Sequence, residues 1–293
     1  MKQTPFIEHL VAQIQQKLNQ PVIFRHLTPE YGGNINEAFK MDTSAGNFFI
    51  KRNDKNSFPK MFEAEARGLE LLHQSGAVTV PSVIASGEFE NFQFLILPFS
   101  SKGNANANFW ENFGWSVAKL HQSSAENFGL DTDNYIGSLT QNNKLEKNWT
   151  DFFIHQRIEP QLALDVNSKK LNHTQFDLFQ TLFTKIKNEF PIEKPALLHG
   201  DLWSGNFMAN TEGNPVIFDP AVYYGHREMD LAMTLLFGGF HSKFYAAYND
   251  VYPLEKNWKE RVKIANLYPL LVHVNLFGGH YIKEIDAVLQ QFK

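Results

Sequence analysis

The chain has 293 residues, no cysteine and a formal net charge of -4 from 27 basic and 31 acidic residues. This near balance gives no support for general binding to nucleic acid or to an anionic membrane surface. The absence of cysteine excludes disulfides, thiolate metal sites and a cysteine nucleophile. Hydrophobic residues make up 43% and charged residues 20%, as in a globular protein long enough for about two domains.

The N-terminal stretch MKQTPFIEHL lacks the long apolar run of a signal peptide. The densest apolar run, residues 94–99, has six residues, whereas a membrane-spanning helix needs about 20. We therefore expect no membrane-spanning segment and a cytoplasmic location.

The first third of the chain is rich in predicted strands. Apolar residues at fourfold spacing over 5–19 predict an amphipathic helix. Strand-like pieces follow at 22–26, 36–41 and 47–52, and a turn at 43–46 joins the last two into a hairpin. A helix is predicted over 59–75, and two more strands over 83–87 and 92–97.

The composition changes at Ser100, where the small and polar stretch 100–108 is typical of a linker. Helical periodicity dominates after it, with apolar stripes at 110–120 and 258–274 and one strand-rich island at 196–218. We therefore predict an α+β protein with two lobes joined near residues 97–105. The small β-rich lobe spans 1–98, and the large, mostly helical lobe spans 99–293.

The most informative stretch is HGDLWSGN at 199–206, which places Asp201 five residues before Asn206. This is the spacing of a kinase catalytic loop, in which the aspartate accepts the proton of an attacking hydroxyl and the asparagine oxygen binds magnesium. A short apolar strand at 215–218 then ends at Asp219, where a second, carboxylate ligand belongs. Either piece alone is more often an ordinary turn, but the two in this order favour a kinase.

The N-terminal lobe supplies candidate phosphate contacts. Lys51 lies in a predicted strand, downstream of Gly32 and Gly33, a glycine pair that lets the backbone approach a phosphate. Glu65 falls on the apolar face of the next helix. Because a buried carboxylate needs a cationic partner, we expect it to pair with Lys51, as in the lysine–glutamate pair of kinases. The alternative is that Glu65 lies at the helix edge and reaches water.

With these residues in place, the chain resembles the fructosamine kinases, also called ketosamine 3-kinases, which belong to the aminoglycoside-phosphotransferase-like branch of the protein-kinase fold. The resemblance covers nearly the whole chain. The HGD loop with Asn206 is shared with the wider branch. Trp203 and the stretch DPAVYYGHREMDLA at 219–232 are more specific to the ketosamine group.

The chain also departs from related patterns. Tyr31 replaces a third glycine of the phosphate loop, which makes coverage of the phosphates by this loop less complete. Asp230 follows Asp219 by only 11 positions, which is too few for a long activation loop. A protein kinase regulated through phosphorylation of such a loop is therefore not expected.

The resemblance implies an enzyme that uses ATP and Mg²⁺. Asp201 would act as the base, and Asn206 and Asp219 would bind the metal. The residues implied to contact the nucleotide are Gly32, Gly33, Lys51, Glu65, Pro98, Phe99 and Ser100. Of the last three, Phe99 would donate its N–H to adenine, because proline has none.

Other residues would support the loop or bind the acceptor. Asp230 would accept hydrogen bonds from the catalytic loop, or it is simply a carboxylate at a helix start. His199 would anchor the same loop, or it is a core histidine. The Trp203 ring would pack on the acceptor or wedge the loop into the core. Further acceptor candidates are His226, Arg227 and Trp149.

The implied reaction is phosphorylation of a sugar hydroxyl, at the 3-position, of a ketosamine such as a ribulosamine or fructosamine. The product would decompose and free the amine, which is a deglycation repair of small molecules or of glycated protein side chains. One alternative is another small acceptor, such as an aminoglycoside or a choline-like amino alcohol, which an acidic or aromatic cage would favour. A second is a nucleotide-binding pseudokinase scaffold, which does not need Lys51, Asp201, Asn206 and Asp219 together. No nucleic-acid or membrane partner is expected.

Overall fold

The computed structural model describes residues 4–30, 36–168 and 170–292. The predicted phosphate contacts Gly32 and Gly33 lie outside the described residues. The chain divides into two compact units. The first unit contains Met1–Asn106 and Met208–Phe218, and the second contains Ala107–Phe207 and Asp219–Lys293.

The strands are β1 (Phe24–Glu30), β2 (Glu37–Thr43), β3 (Gly46–Asp54), β4 (Ala85–Phe89), β5 (Phe92–Pro98), β6 (Asn134–Ile136), β7 (Leu139–Gln141), β8 (Ala196–Leu198), β9 (Phe207–Ala209), β10 (Pro215–Ile217) and β11 (Tyr223–Gly225). The helices are α1 (Thr4–Leu18), α2 (Met61–Gln74), α3 (Phe109–His121), α4 (Trp149–Phe152), α5 (Glu159–Asn167), α6 (His173–Lys185), α7 (Glu228–Leu236), α8 (Ser242–Val251), α9 (Trp258–Ala265), α10 (Leu267–Phe277) and α11 (Ile282–Leu289). A π-helical segment, Phe153–Ile158, joins α4 to α5, and the short 3-10 helices are Ile186–Asn188, Gly279–Tyr281 and Gln290–Phe292.

The first unit is built on a five-stranded sheet in the order β1-β2-β3-β5-β4. Every neighbouring pair is antiparallel, so short turns are enough to connect β2 to β3 and β4 to β5. Helix α1 buries Phe6, Leu10 and Ile14 against one face of this sheet. The fourfold apolar spacing predicted that face. Helix α2 follows β3 and buries its own apolar stripe.

Residues 100–106 of the linker stretch belong to the first unit, whereas the sequence predicted a division at residue 98. The backbone N–H of Gly103 donates to Ala209 O at 2.8 Å, and that of Asn106 donates to Gly213 O at 3.1 Å. Ile217 N–H in turn donates to Thr79 O at 3.0 Å. The hairpin 208–218 therefore belongs to the first unit, and composition gave no sign of it because its partners lie far away in sequence.

The second unit is mostly helical around an aromatic-rich core. Helices α3 and α8 pack together, and α10 packs against α5. The predicted apolar stripe at 258–274 falls on two consecutive helices, α9 and α10, which meet at Asn266. Small two-stranded sheets, β8 with β11 and β6 with β7, interrupt the helices. In the part of the chain that the structure describes, no helix combines the length and apolar character needed to cross a membrane.

Candidate active site

Asp230 holds the loop that carries the HGD stretch, between β8 and β9. Its carboxylate accepts the backbone N–H of His199 at 2.8 Å and that of Gly200 at 2.9 Å. Gly200 has φ +83°, and a Cβ there would lie 2.0 Å from the carbonyl oxygen of Ala221. Only glycine fits this turn. Asp230 therefore accepts hydrogen bonds from the loop, as predicted, and their donors are the two residues just before Asp201.

A histidine that the sequence did not reveal supports Asp230. His121 Nε2 lies 3.2 Å from Asp230 Oδ2, and its Nδ1 lies 2.9 Å from the Tyr248 hydroxyl. Burial alone would raise the pKa of Asp230, but the hydrogen bond and charge of His121, the charge of His199 and the Gly200 N–H hold it below its usual range. Asp230 thus stays ionised and remains an acceptor. The only signal in the sequence was a histidine at the end of the apolar stripe 110–120.

Asn206 is bonded to the predicted base. Its Nδ2 donates to the Asp201 carbonyl oxygen at 2.9 Å and to Asp201 Oδ2 at 2.8 Å. No residue that the structure describes donates a hydrogen bond to Asn206 Oδ1. The amide is therefore oriented by its nitrogen and keeps its oxygen available, which suits a ligand of a hard cation.

The environment of Asp201 adapts it to proton transfer near neutral pH. Burial raises the pKa of Asp201 to about 7. Hydrogen bonds from Asn206 and Trp203 oppose this rise, whereas the negative charges of Asp219 and Asp230 add to it. A carboxyl group with this pKa is matched to general base catalysis. A neighbourhood of three carboxylates also favours an added cation.

Trp203 packs on its own loop. A Cβ at Gly205 would lie 2.3 Å from the Trp203 ring, so the ring covers the Gly205 backbone. The ring also meets Phe237 edge-on, with centroids 5.8 Å apart, and its hydrogen bond to Asp201 lowers the pKa of that group. These contacts support the alternative in which the ring wedges the loop. Contact with the acceptor stays a prediction.

The other acceptor candidates are buried. The rings of Trp149 and His226 lie 5.8 Å apart and both pack on Phe190. Burial lowers the pKa of His226 to about 4, which keeps the ring neutral. Arg227 pairs with Glu193 at 2.7 Å and is buried as well. These surroundings favour packing roles, and contact of the three candidates with an acceptor stays a prediction.

Asp219 has an uncommon backbone conformation, with φ +55°. Residues other than glycine rarely adopt this left-handed region, although aspartate and asparagine tolerate it best. The chain is held two residues later, where the Ala221 N–H donates to the His199 carbonyl oxygen at 2.9 Å. The segment that carries Asp219 is thereby tied to the loop that carries Asp201.

The first unit contains the predicted ion pair. Lys51 Nζ on β3 lies 2.7 Å from Glu65 Oε1 on α2. The two side chains are only 8% and 11% exposed. The contact that the helical pattern predicted is therefore present, and the Glu65 side chain is largely buried in it.

The adenine contact predicted for Phe99 is wrong in this structure. The Phe99 N–H donates to the Asn47 carbonyl oxygen at 2.9 Å, which extends the pairing of β3 with β5 by one residue. This donor is therefore already satisfied. Adenine binding by other backbone groups of Pro98 and Ser100 stays a prediction.

Oxygen donors make up the candidate metal ligands. Within residues 4–30, 36–168 and 170–292, no three His, Cys, Asp or Glu side chains form a metal-binding group. Magnesium does not require such a group, because it is usually bound by one or two carboxylates, phosphate oxygens and water. Asn206 Oδ1 and the Asp219 carboxylate are of this hard, oxygen type, so the residues present fit the ion.

Comparison with known proteins extends the likeness over the whole chain. A family model described as fructosamine kinase matches residues 6–293. A Vibrio parahaemolyticus protein named a probable ketoamine kinase is 40% identical over 287 residues, which cover 95% of this chain and 97% of that protein. The chloroplastic protein-ribulosamine 3-kinase of Arabidopsis thaliana is 36% identical over 269 residues, covering 89% and 80%.

Solved structures agree with these matches. A Haemophilus somnus protein described as a fructosamine-3-kinase has a TM-score of 0.88 at 29% identity, covering 97% of this chain and 96% of that one. A spectinomycin phosphotransferase in complex with ADP and spectinomycin has a TM-score of 0.58 at 16% identity, covering 97% and 92%. This second likeness shows the fold alone, and it confirms the predicted kinase-like α+β architecture. With a loop built around Asp201 and a family model that spans almost every residue, the chain belongs to the fructosamine kinase family.

Proposed function

We propose that the protein is an ATP-dependent kinase that phosphorylates the 3-hydroxyl of a ketosamine sugar, such as a ribulosamine or a fructosamine. The observation that carries this proposal is Asp201, a carboxyl group with its pKa raised to about 7 and bonded to Asn206, in a member of the fructosamine kinase family. The relatives named for ketoamines and ribulosamines support the acceptor class.

Asp201 takes the proton of the acceptor hydroxyl. Its Oδ2 accepts the hydrogen bond of Asn206, which orients the carboxylate for the sugar hydroxyl. As the bond between the sugar oxygen and the γ-phosphorus forms, the proton passes to Asp201. The bond from the γ-phosphorus to the bridging oxygen breaks, and its electron pair leaves with ADP. Such transfer depends mainly on positioning and charge stabilisation.

We assign Asn206 Oδ1 and the Asp219 carboxylate as magnesium ligands. When bound, the ion neutralises negative charge on the transferring phosphoryl group. The chain's own contribution is to hold Asn206 through its amide nitrogen and to fix the backbone after Asp219.

The nucleotide phosphates are assigned to the first unit. Lys51 contacts them, and Glu65 orients the lysine through the 2.7 Å ion pair. The backbone at Gly32 and Gly33 is the proposed phosphate loop. Residues 98–100 are the proposed adenine segment, without the Phe99 donor.

The phosphorylated product would release the free amine, so the proposed role is deglycation of small ketosamines or of glycated protein side chains. A cytoplasmic location is proposed with it. This chemistry predicts two successive signals from one acceptor, phosphate on the sugar and then free amine.

The test is ATP consumption with a panel of ribulosamines, fructosamines, kanamycin and choline, followed by mass spectrometry of each acceptor. We expect phosphate on the ketosamine sugar and slow release of amine, and Asp201→Asn serves as the matched control. Turnover of kanamycin or choline but of no ketosamine would show that the acceptor is an aminoglycoside or an amino alcohol instead. Binding of ATP with transfer to no acceptor would instead indicate a pseudokinase scaffold.

A further inference from the structure

A set of buried polar side chains hydrogen-bonds to the backbone just after Asp219. None of these side chains belongs to the sequence motifs or to the candidate site residues described above. Gln141 Nε2 donates to the Ala221 carbonyl oxygen at 3.0 Å. Asn134 Nδ2 donates to the Val222 carbonyl oxygen at 2.8 Å. Gln141 and Asn134 face each other across the β6–β7 hairpin, so one small hairpin fixes two consecutive peptide groups.

Other side chains orient these two carboxamides. Gln141 Nε2 also donates to Asn134 Oδ1 at 2.8 Å, and the Tyr268 hydroxyl donates to Gln141 Oε1 at 2.7 Å. Asn143 Nδ2 donates to Asn134 Oδ1 at 2.9 Å. Each carboxamide therefore has partners for both its nitrogen and its oxygen. Buried carboxamides that are hydrogen-bonded at both ends in this way are held in one geometry.

Arg157 closes the set from the π-helical segment. It donates to the Asn142 carbonyl oxygen and, at 2.7 Å, to Asn143 Oδ1. Its guanidinium lies 3.9 Å from the centre of the Tyr223 ring, and the side chain is completely buried. Among the described residues no carboxylate pairs with it. Burying a cation without a counter-ion costs free energy. We therefore infer that the role of Arg157 is to hold Asn143 and Tyr223 in place through these contacts.

The backbone at 219–222 is one that depends on such support. The left-handed conformation of Asp219 is one that non-glycine residues keep only where the surroundings over-determine the backbone. The hydrogen bonds to Ala221 and Val222 fix the chain two and three residues after it. The Ala221 carbonyl oxygen also sits against Gly200, since a Cβ there would approach it to 2.0 Å. The position of this one peptide group thus restricts the backbone conformation both at Asp219 and in the loop that carries Asp201.

We propose that Asn134, Gln141, Asn143, Arg157 and Tyr268 form a carboxamide clamp that positions Asp219 to bind its metal. The members of the clamp are positioning residues that touch neither substrate nor metal. The inference rests on the proposed metal role of Asp219. It predicts that loosening the clamp weakens metal binding while the rest of the fold stays intact.

The experiment compares Gln141→Met with Gln175→Met in the full chain. Both glutamines are buried, and Gln175 donates to Asp286 Oδ1 at 2.8 Å on a different helix. Binding of Mn²⁺ in the presence of ADP is measured by electron paramagnetic resonance, alongside the thermal midpoint and hydrogen exchange at the Ala221 amide. We expect Gln141→Met to weaken Mn²⁺ binding roughly 10-fold, at the low end for residues that support a metal ligand, and to speed exchange at Ala221.

Gln175→Met should lower the thermal midpoint to a similar degree and leave Mn²⁺ binding unchanged. Tyr268→Phe removes only the hydroxyl that orients Gln141, so we expect a smaller, few-fold loss of Mn²⁺ affinity, and this variant decides the question if Gln141→Met does not fold. Native Mn²⁺ affinity in both clamp variants would overturn the clamp. A native protein that binds ADP but no Mn²⁺ would overturn the metal role of Asp219 instead.

Discussion

The ion pair of the first unit and the catalytic loop of the second unit are held in different ways. Lys51 and Glu65 are 14 positions apart, on consecutive elements, and neutralise each other. The loop of Asp201 depends on Asp230, 31 positions after His199, and on His121, 109 positions before Asp230. The pair is therefore a local contact in which a positive and a negative charge balance. The loop, in contrast, lies among several carboxylates and is held in place by residues that are distant in sequence.

This difference predicts different vulnerabilities. The pair has its charge balanced within the protein, so its loss should misplace the phosphates without changing the protonation of other groups. Burial raises the pKa of Asp201, and the negative charges of Asp219 and Asp230 add to the rise. Removing one of these carboxylates, or adding a cation, therefore changes the protonation of Asp201.

The largest effect is expected at Asp219, the proposed metal ligand. Asp219→Ala removes the only carboxylate assigned to the ion, and turnover should fall below detection. Turnover of the native protein should likewise require Mg²⁺ or Mn²⁺. The measurement is coupled ADP release with and without chelator, with Lys243→Ala, in an exposed ion pair with Glu111, as the control. Full activity in excess chelator would remove the metal from the mechanism.

The base comes next. Asp201→Asn keeps the shape of the side chain but cannot accept the proton, so turnover should fall about 10²-fold or more, the usual scale for a positioned base. ATP affinity should stay unchanged or rise, because a negative charge near the phosphates is removed. Isothermal titration with ATP and steady-state kinetics separate the two. An equal loss of binding and turnover would make Asp201 a structural residue.

The pair should respond as one unit. Lys51→Ala and Glu65→Ala should each reduce kcat/KM by roughly 10- to 100-fold, and the double variant should lose little more, since residues acting together are strongly non-additive. Losses that multiply would show that the contact between the two side chains does not matter for catalysis.

The smallest step is the response to a single unit of pH. A base must be deprotonated to accept a proton, and the pKa of Asp201 is raised to about 7. We therefore expect kcat/KM to reach its full value above pH 7 and to fall about tenfold for each pH unit below it. The residual activity of Asp201→Asn should lack this step. A native profile that is flat from pH 5 to 8 would contradict the assignment.

The sequence predicted what is local in the structure. The 3.6-residue period placed Glu65 on the buried face, and a five-residue spacing identified Asp201 with Asn206. It could not predict His121, Gln141 or Arg157, because their partners are fixed only when distant segments meet.

Phe99 is a case in which the sequence predicted a contact that the structure does not support. Its N–H appeared available because strand register is not visible in the sequence, and the register of β3 with β5 gives that donor to Asn47. The long-range return of residues 208–218 to the first unit was missed for the same reason.

That return has a consequence for exchanging parts between relatives. The chain crosses between the units at 106–107, 207–208 and 218–219. Asn206 lies just before the second crossing and Asp219 immediately after the third. A hybrid that takes its first unit from another family member therefore needs three junctions. With a single cut within 100–108, Thr79 and the hairpin 208–218 that hydrogen-bonds to it would come from different proteins. The first unit can therefore be exchanged only together with residues 208–218, the short segment that the two proposed metal ligands bracket.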